Sequence, residues 1–525
     1  MPYIKRLTIR GFKRFEELDI EFNKSTNIIV GENEKGKSTI LEAISIILNQ
    51  KYRNSDKYII QEMLNVNQIQ RFKSDPSVKT LPSIYMELEI SMNLDDPNSK
   101  FYHGCNNFDA EAKFGIKFEC SFDTEFQDDL HMEIEEGNIP YEYYKLNWET
   151  FHGGSYKIFK KPINIILIDN TASDSSSSFN YYNKSLFYSQ YDNAERLKVK
   201  NNFRNEMSEV FSNLGLDELR DGKRFGVNSK KVVFENIITI FDNDIPLENK
   251  GKGLENIIKT RIALDREKSK LDTIMIEEPE NHLSHSNLLK MIKEINEKAK
   301  DSQLIITTHS NMIVSRLNLN NVIWLSEENK ATKLDNVDKK VAEFFIKADD
   351  NKFLQLLLSE KVILVEGATE YLLIPKFFKQ IIGKDISESG ISVISCSGIS
   401  YNHYLEIARS VNKKVAVITD NDKSMDKILK SKDFNSSNAN QKIFLDKDIE
   451  NWTWEVCFYN LNKEYFDINT KLQEGTEYKF NGEFYGKVLG KMLNNKVNSA
   501  YEMLISDHKF KVPEYVEDAI KWIAN

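Results

Sequence analysis

Two groups of residues have the types and spacing for phosphate chemistry. The first begins with GENEKGKST, residues 31–39, which fits G-x-x-x-x-G-K-[ST] at Gly31, Gly36, Lys37 and Ser38. Glycines let such a loop wrap closely around phosphates. Its N–H groups and the start of the following helix supply positive potential. Lys37 is placed to reach the β- and γ-phosphates of a nucleotide and Ser38 to hold Mg2+, with Asn33 and Thr39 on the same loop. The apolar run TIMIEEPENHL delivers Glu277 and Glu278 at its carboxyl end, where α/β folds put ligands. Glu277 is expected near Mg2+, through water, and Glu278 is expected to orient or activate the attacking water. His309 ends the run QLIITTHS and is expected to sense the γ-phosphate.

The second group is acidic. VILVEGATE ends a strand-like run with Glu366, and Glu370 follows four residues on. A helix beginning near Ala368 turns both carboxylates toward one site. VAVITDNDKS ends another such run with Asp420 and Asp422. Strand alternation points residues i and i+2 the same way. Four carboxylates held close repel each other, and two hard divalent cations, Mg2+ or Mn2+, suit an all-oxygen site of this kind. Two metals serve in-line displacement at a phosphodiester. Asp448 and Glu450 in FLDKDIENW are further candidate ligands, and Ser395, Ser397 and Gly398 are candidates to line the site. Lys487 or Lys491 in YGKVLGKML is a candidate to neutralise a phosphate, and spacing does not choose between them. A lone Asp-x-Asp is more often a turn. The strand–Glu-Gly unit followed about 50 residues later by strand–Asp-x-Asp is far more specific.

Elements that position these residues can be read in the same chain. Its 525 residues imply two or three domains, and 40% hydrophobic with 29% charged residues is ordinary for a globular protein. The sequence predicts strands over the first 30 residues and at 84–92, 114–122, 163–170 and 232–241. Strand, helix, strand, helix, strand follows from Leu271 to Glu327, an α/β layout with a parallel sheet. A charged helical stretch covers 336–359, and a second α/β unit follows. The polar run TASDSSSSFNYYNKS opens a helical insertion over 171–235. The expected division is 1–170 and 236–345 for the nucleotide-binding domain, 171–235 for the insertion, and 346–525 for the acidic-site domain. Net charge is −9, which excludes a generic nucleic-acid coat but not a local basic patch. The N-terminus alternates like a strand and lacks the apolar core of a signal peptide, no run reaches bilayer length, and a cytoplasmic location is expected. Cys105, Cys120, Cys396 and Cys457 form no CxxC pair and are expected to be buried apolar residues.

The order of phosphate loop (Walker A), Glu-Glu strand and His strand resembles the ABC-type ATPases. ENKGKGLENIIKTRIAL, residues 248–264, stands where that superfamily has its signature helix, which implies that Gly251 and Gly253 meet ATP bound in a partner lobe. Asn249 or Lys250 stands where Ser is usual. No LSGGQ and no long heptad stretch between residues 40 and 270 is present, which disfavours the transporter, chromosome-condensing and break-repair members. The acidic unit resembles the Toprim fold. An ABC-type ATPase followed by Toprim, carried by GENEKGKST, IMIEEPENHL, IITTHS, LLLSEKVILVEGATE and ITDND, resembles the OLD (overcoming lysogenization defect) family of ATP-dependent endonucleases. Its compact length and VEGATE resemble the branch of Gabija-type and retron-associated anti-phage nucleases. The resemblance implies DNA nicking or cleavage with Mg2+ or Mn2+, an insertion that dimerises or builds a higher homo-oligomer, and an operon partner that is a helicase or a reverse transcriptase with its RNA–DNA hybrid. The alternative is an ATP-gated DNA clamp of the recombination and repair type whose Toprim acids are inactive.

Overall fold

The computed structural model describes residues 2–52, 54–126, 134–158, 161–170, 175–213, 233–265, 271–298, 301–326, 328–335, 337–347, 352–396, 400–468, 478–480 and 483–525. Ser397 and Gly398 lie outside them. The chain divides into two compact units, Met1–Leu317 with Asn321–Lys333, and Asn318–Asn320 with Leu334–Asn525.

The first unit holds two six-stranded sheets. One is antiparallel. Tyr3–Phe12 pairs with Phe15–Glu21 on one side and Ile84–Ser91 on the other, and Lys113–Phe122 and Tyr144–Thr150 continue it. Alternation along Phe15–Glu21, with Phe15, Leu18 and Ile20 buried between more exposed acids, fits a sheet with one face on the core. The other sheet runs Ala331–Lys333, Val322–Leu325, Thr26–Val30, Gln303–Thr308, Thr273–Glu277, Ile165–Asp169, and all its pairings are parallel except the first. Thr273–Glu277 and Gln303–Thr308 are buried at every position, as strands covered on both faces must be. Leu41, Ile44 and Leu48 of the helix Lys37–Asn49 pack into one core with Leu88, Ile116 and Phe118 of the antiparallel sheet.

Beyond Ile165–Asp169 the described residues form two helices, Ser175–Gln190 and Asn193–Asn213. The buried Tyr182 hydroxyl donates to the Lys259 carbonyl at 2.8 Å, tying the first helix to Lys252–Ala263. Of the strand expected at 232–241, only Phe241 is in a strand among the described residues. Phe234–Asn236 is a single 3-10 turn, and Phe241–Asp242 makes a two-residue hairpin with Ile245–Pro246. Asn243 and Asp244 take φ of 50° and 64°, the geometry of the tight turn that closes this hairpin.

The second unit is built on a four-stranded, fully parallel sheet in the order Ile391–Ser395, Lys361–Val365, Lys414–Ile418, Gln441–Phe444. Helices Ala368–Ile382 and Glu514–Ala524 supply Phe377, Phe378, Val516 and Ile520 to its core. Three cysteines are buried as expected, but Cys105 is exposed, because it follows the short edge strand His103–Gly104 rather than entering the core. Among the described residues no helix is long and apolar enough to cross a membrane.

Candidate functional site

Thr26–Val30 ends at Gly31, and the loop returns to start a helix at Lys37. Gly36 has φ 90°, and a Cβ there would lie 2.4 Å from Phe15 Cζ, so the loop closes only around glycine. Lys37 is buried and donates to the carbonyls of Gly31 at 2.7 Å and Glu32 at 3.0 Å. Burial lowers its pKa, opposed by Glu278, Glu280 and Glu277. A cavity of about 270 Å³ opens over the loop, lined by Asn33, Gly36, Lys37, Ser38, Thr39 and Glu278 and, from the turn after the first strand, Lys13 and Arg14.

The neighbouring strands complete this site. The Ser38 hydroxyl donates to Glu277 at the end of Thr273–Glu277. Glu277 is pushed up to about 7, first by burial and then, against the Ser38 hydrogen bond, by Asp169 and Glu278. Asp169 is its register partner on the adjacent strand. Glu278 has φ 41°, and its carboxylate accepts from Asn281 Nδ2 at 2.9 Å. His309 Nδ1 lies 3.6 Å from Glu278 Oε1 and 3.4 Å from Glu280 Oε1. Glu280 also accepts from Thr308 Oγ1 at 2.6 Å and the His309 amide at 2.9 Å, so it positions the histidine strand end. Gly251 caps the helix Lys252–Ala263 with open space around it. A Cβ on Gly253 would lie 2.3 Å from the His282 carbonyl oxygen, which gives that glycine a packing reason inside its own unit.

In the second unit the acids gather at the carboxyl edge of the parallel sheet, in two layers. The inner layer is Glu370, Asp420 and Glu455. Glu370, in the first turn of Ala368–Ile382, is buried and pushed up to about 7 by burial, with Glu455 and Glu366 adding to it. Asp420 keeps an edge to solvent, yet its pKa is well above the ordinary value, through burial first and then Glu370, Glu455 and Glu366. Its Oδ1 accepts from the Trp454 amide at 2.8 Å. Glu455 accepts from Thr453 Oγ1 at 2.9 Å and Thr369 Oγ1 at 3.3 Å, and Lys496 Nζ lies 2.9 Å away. Burial works against the Lys496 charge, but Glu455, Asp420 and Glu370 outweigh it and raise its pKa.

The outer layer is more exposed. Glu366 Oε2 accepts from Thr419 Oγ1 at 2.8 Å, and Lys427 Nζ donates to Thr419 Oγ1 at 3.2 Å and to Asp422 Oδ2 at 2.8 Å. Asp420 and Asp422 therefore do not point the same way. Their strand ends at Ile418, and Asp422 sits in a turn with φ 54°, where alternation no longer applies. Asn421 between them is buried, and its Nδ2 donates to the carbonyls of Asp448 at 2.8 Å and Asp446 at 3.1 Å.

Asp448 and Glu450 are exposed, and Asp448 Oδ1 accepts from the Glu450 amide at 3.0 Å, shaping the loop. Ser395 ends its strand and is buried. Lys487 is exposed at the start of its helix, and Lys491 lies 3.6 Å from Glu502. The lysine the structure brings to the acids is instead Lys496. Among the described residues no three His, Cys, Asp or Glu side chains stand together at metal-binding spacing.

The AAA domain profile matches residues 6–301, more than half of the chain. The chain belongs to the AAA domain family. A second profile, the TOPRIM domain of overcoming-lysogenization-defect-like proteins, matches residues 357–422 of this AAA-domain protein. Among curated proteins, the Endonuclease GajA of Bacillus cereus strain VD045 is 22% identical over 79% of this chain and 74% of its own length. That of strain HuB5-5 is 22% identical over 80% and 76%. The DNA replication and repair protein RecF of Halalkalibacterium halodurans is 41% identical over 11% of this chain and 16% of its own. Among solved structures, an SMC head bound to the C-winged helix domain of ScpA aligns over 63% of this chain and 99% of its own, at 15% identity and TM-score 0.34.

Sequence reasoning missed Lys13, Arg14 and Glu280 at the AAA site and Glu455, Lys427 and Lys496 at the TOPRIM site. Glu280 was visible two residues past the Glu-Glu pair. The others stand on a turn or on helices without a motif of their own, and only the fold brings them in.

Proposed function

We propose that this chain is a DNA endonuclease whose TOPRIM unit cuts phosphodiesters with a divalent cation and whose AAA unit binds and hydrolyses ATP to govern cleavage. The observation that carries this reading is the inner layer, three carboxylates and one lysine at the carboxyl edge of a parallel sheet. A divalent cation suits that layer by its donor chemistry rather than by its present spacing: burial and mutual repulsion raise Glu370 and Asp420, and all donors are oxygens. Glu370, Asp420 and Glu455 would hold it, with Glu366 and Asp422 as outer donors. Once bound, the cation supplies an activated water and charge relief for the leaving oxygen.

This chain's own groups do the rest. Glu366, held by Thr419, orients the outer edge. Lys496, paired with Glu455 at 2.9 Å, can place its charge beside a scissile phosphate. Lys427 pairs with Asp422 in the outer layer and adds a cation toward a DNA backbone. In the AAA unit the Gly36 cradle and the cavity over it fit a triphosphate. Lys37 would hold its phosphates, Ser38 and Glu277 its Mg2+, Glu278 the attacking water, and His309 the terminal phosphate. Gly251 would meet nucleotide of a second copy across a homodimer. The similarity to endonucleases named GajA supports nucleic-acid cleavage with DNA as substrate. Anti-phage defence, a cytoplasmic location and a helicase or reverse transcriptase as operon partner belong to this proposal through the resemblance of the sequence motifs alone.

The test is supercoiled plasmid with Mg2+ or Mn2+, with and without ATP. Wild type should nick, and Asp420→Ala should not. No nicking with either cation, or equal nicking by the variant, overturns the reading and leaves the clamp.

A further inference from the structure

The Tyr188 ring in helix Ser175–Gln190 is surrounded by cations. Arg196 Cζ lies 4.6 Å from its centroid, Lys200 Nζ 5.7 Å and Lys184 Nζ 5.8 Å. Lys184 and Tyr188 are one turn apart on their helix, and Arg196 and Lys200 are one turn apart on Asn193–Asn213. Lys161, in the loop before Ile165–Asp169, donates to Asn49 Oδ1. Burial first, and then the nearby charges of Lys184 and Arg196, bring its pKa down to about 8.

One carboxylate answers these four cations among the described residues. Glu235 pairs with Lys200 and accepts from the Tyr188 hydroxyl at 2.7 Å. Lys161, Lys184 and Arg196 have no acidic partner among the described residues. In a chain of net charge −9, three such cations repel one another, and what offsets them among the described residues is uncharged: the Tyr188 ring, the Asp192 carbonyl that accepts from Arg196 Nε at 3.2 Å, and Asn49 beside Lys161. Lys184 is exposed and Arg196 and Lys161 are half-buried, so the group presents a face across two helices and a loop. A face of that breadth suits repeated phosphates on a polymer better than one small anion.

We propose that the Tyr188-centred face of Lys161, Lys184, Arg196 and Lys200 binds the phosphate backbone of DNA, at a site separate from both the nucleotide loop and the TOPRIM acids. The assignment rests on DNA being the substrate of the TOPRIM unit. The contact is with backbone rather than base edges, so it tracks duplex without reading sequence.

The experiment uses the full chain, a short fluorescent duplex and EDTA, with anisotropy read across a salt series. Each lost phosphate contact lowers the slope of log affinity against log salt by about 0.9, so Lys184→Glu with Arg196→Glu should lower it by about 2 and weaken low-salt binding at least about tenfold. The milder pair Lys184→Gln with Arg196→Gln should fall between, and retained ATP hydrolysis shows that the fold survives. Unchanged affinity and slope overturn the proposal, as does a wild type that binds no duplex. A changed sedimenting mass with unchanged DNA affinity also overturns it, in favour of a contact between copies. Binding that follows the charge without any plasmid nicking supports this face and instead sinks the endonuclease reading.

Discussion

Lys496 Nζ and Glu455 Oε2 lie 2.9 Å apart, joining the start of one helix to the first turn of another 41 residues earlier. The Glu455 side chain is 3% exposed, so this pair sits where water screens little. Removing the cation leaves a buried carboxylate beside Glu370 and Asp420 with no compensating charge.

Lys496→Ala is therefore expected to lower both melting temperature and nicking rate, and Lys496→Arg to recover most of the melting temperature. Lys487→Ala, on an exposed position, should leave both within a few-fold of wild type. Thermal melts and plasmid nicking on the four proteins check this.

Among the acids, Asp420→Ala should abolish nicking, whereas Asp448→Ala should retain most of it, since Asp448 Oδ1 serves the loop by accepting from the Glu450 amide. Equal loss in both would show that the exposed loop carries the chemistry.

The pH dependence of stability follows from Glu370. Its folded pKa, about 7, stands above the ordinary carboxylate value of 4.5, so the folded state prefers the protonated form. This contribution is full below pH 4.5, fades as pH rises toward 7, and is gone above it. Without divalent cation, Glu370→Gln should raise the melting temperature at pH 8 by about 2–4 °C for each kcal/mol relieved, and change little at pH 4.5. Mg2+ or Mn2+ should stabilise wild type more than the variant at pH 8. Melts at the two pH values decide it.

At the nucleotide loop, Lys37→Ala should lose ATP binding. Glu278→Gln should keep binding and slow hydrolysis by roughly 10²–10⁴, the range for losing a general base. Binding of a fluorescent ATP analogue and steady-state phosphate release separate the two.

Gly253→Ala and Gly251→Ala distinguish packing from nucleotide contact. A Cβ at 253 meets the His282 carbonyl oxygen, so that variant should lose about 1–3 kcal/mol of stability. Gly251 has open space, and its variant should melt like wild type. If Gly251→Ala nevertheless loses ATP hydrolysis, its role lies with nucleotide bound by another copy.

Both parallel sheets were legible in the chain because their strands are unbroken Val/Ile runs that end in charged residues, as in TIMIEE and KVILVE. The phosphate loop was legible because Gly36, Lys37 and Ser38 are adjacent. Lys496 was not, since a helical lysine far from any motif looks like every other surface lysine until the sheet and its flanking helices draw it in. The shared direction assigned to Asp420 and Asp422 failed for a local reason: strand periodicity was carried past Ile418 into a turn with positive φ at Asp422. The strand expected at 232–241 failed because Phe234–Asn236 closes into a 3-10 turn, and only Phe241 enters a two-residue hairpin strand.

Asn421 has a consequence for how this kind of chain can change over generations. Its amide pins the 446–451 loop while its two neighbours face different layers. Drift at Asp422 would remove the exposed ion pair with Lys427 and one outer donor of the proposed cation, but leave the inner acids in place. Drift at Asn421 would release the loop whose end presents the Trp454 amide to Asp420. The middle letter of Asp-Asn-Asp, which a motif search treats as free, is thus constrained by the loop it holds.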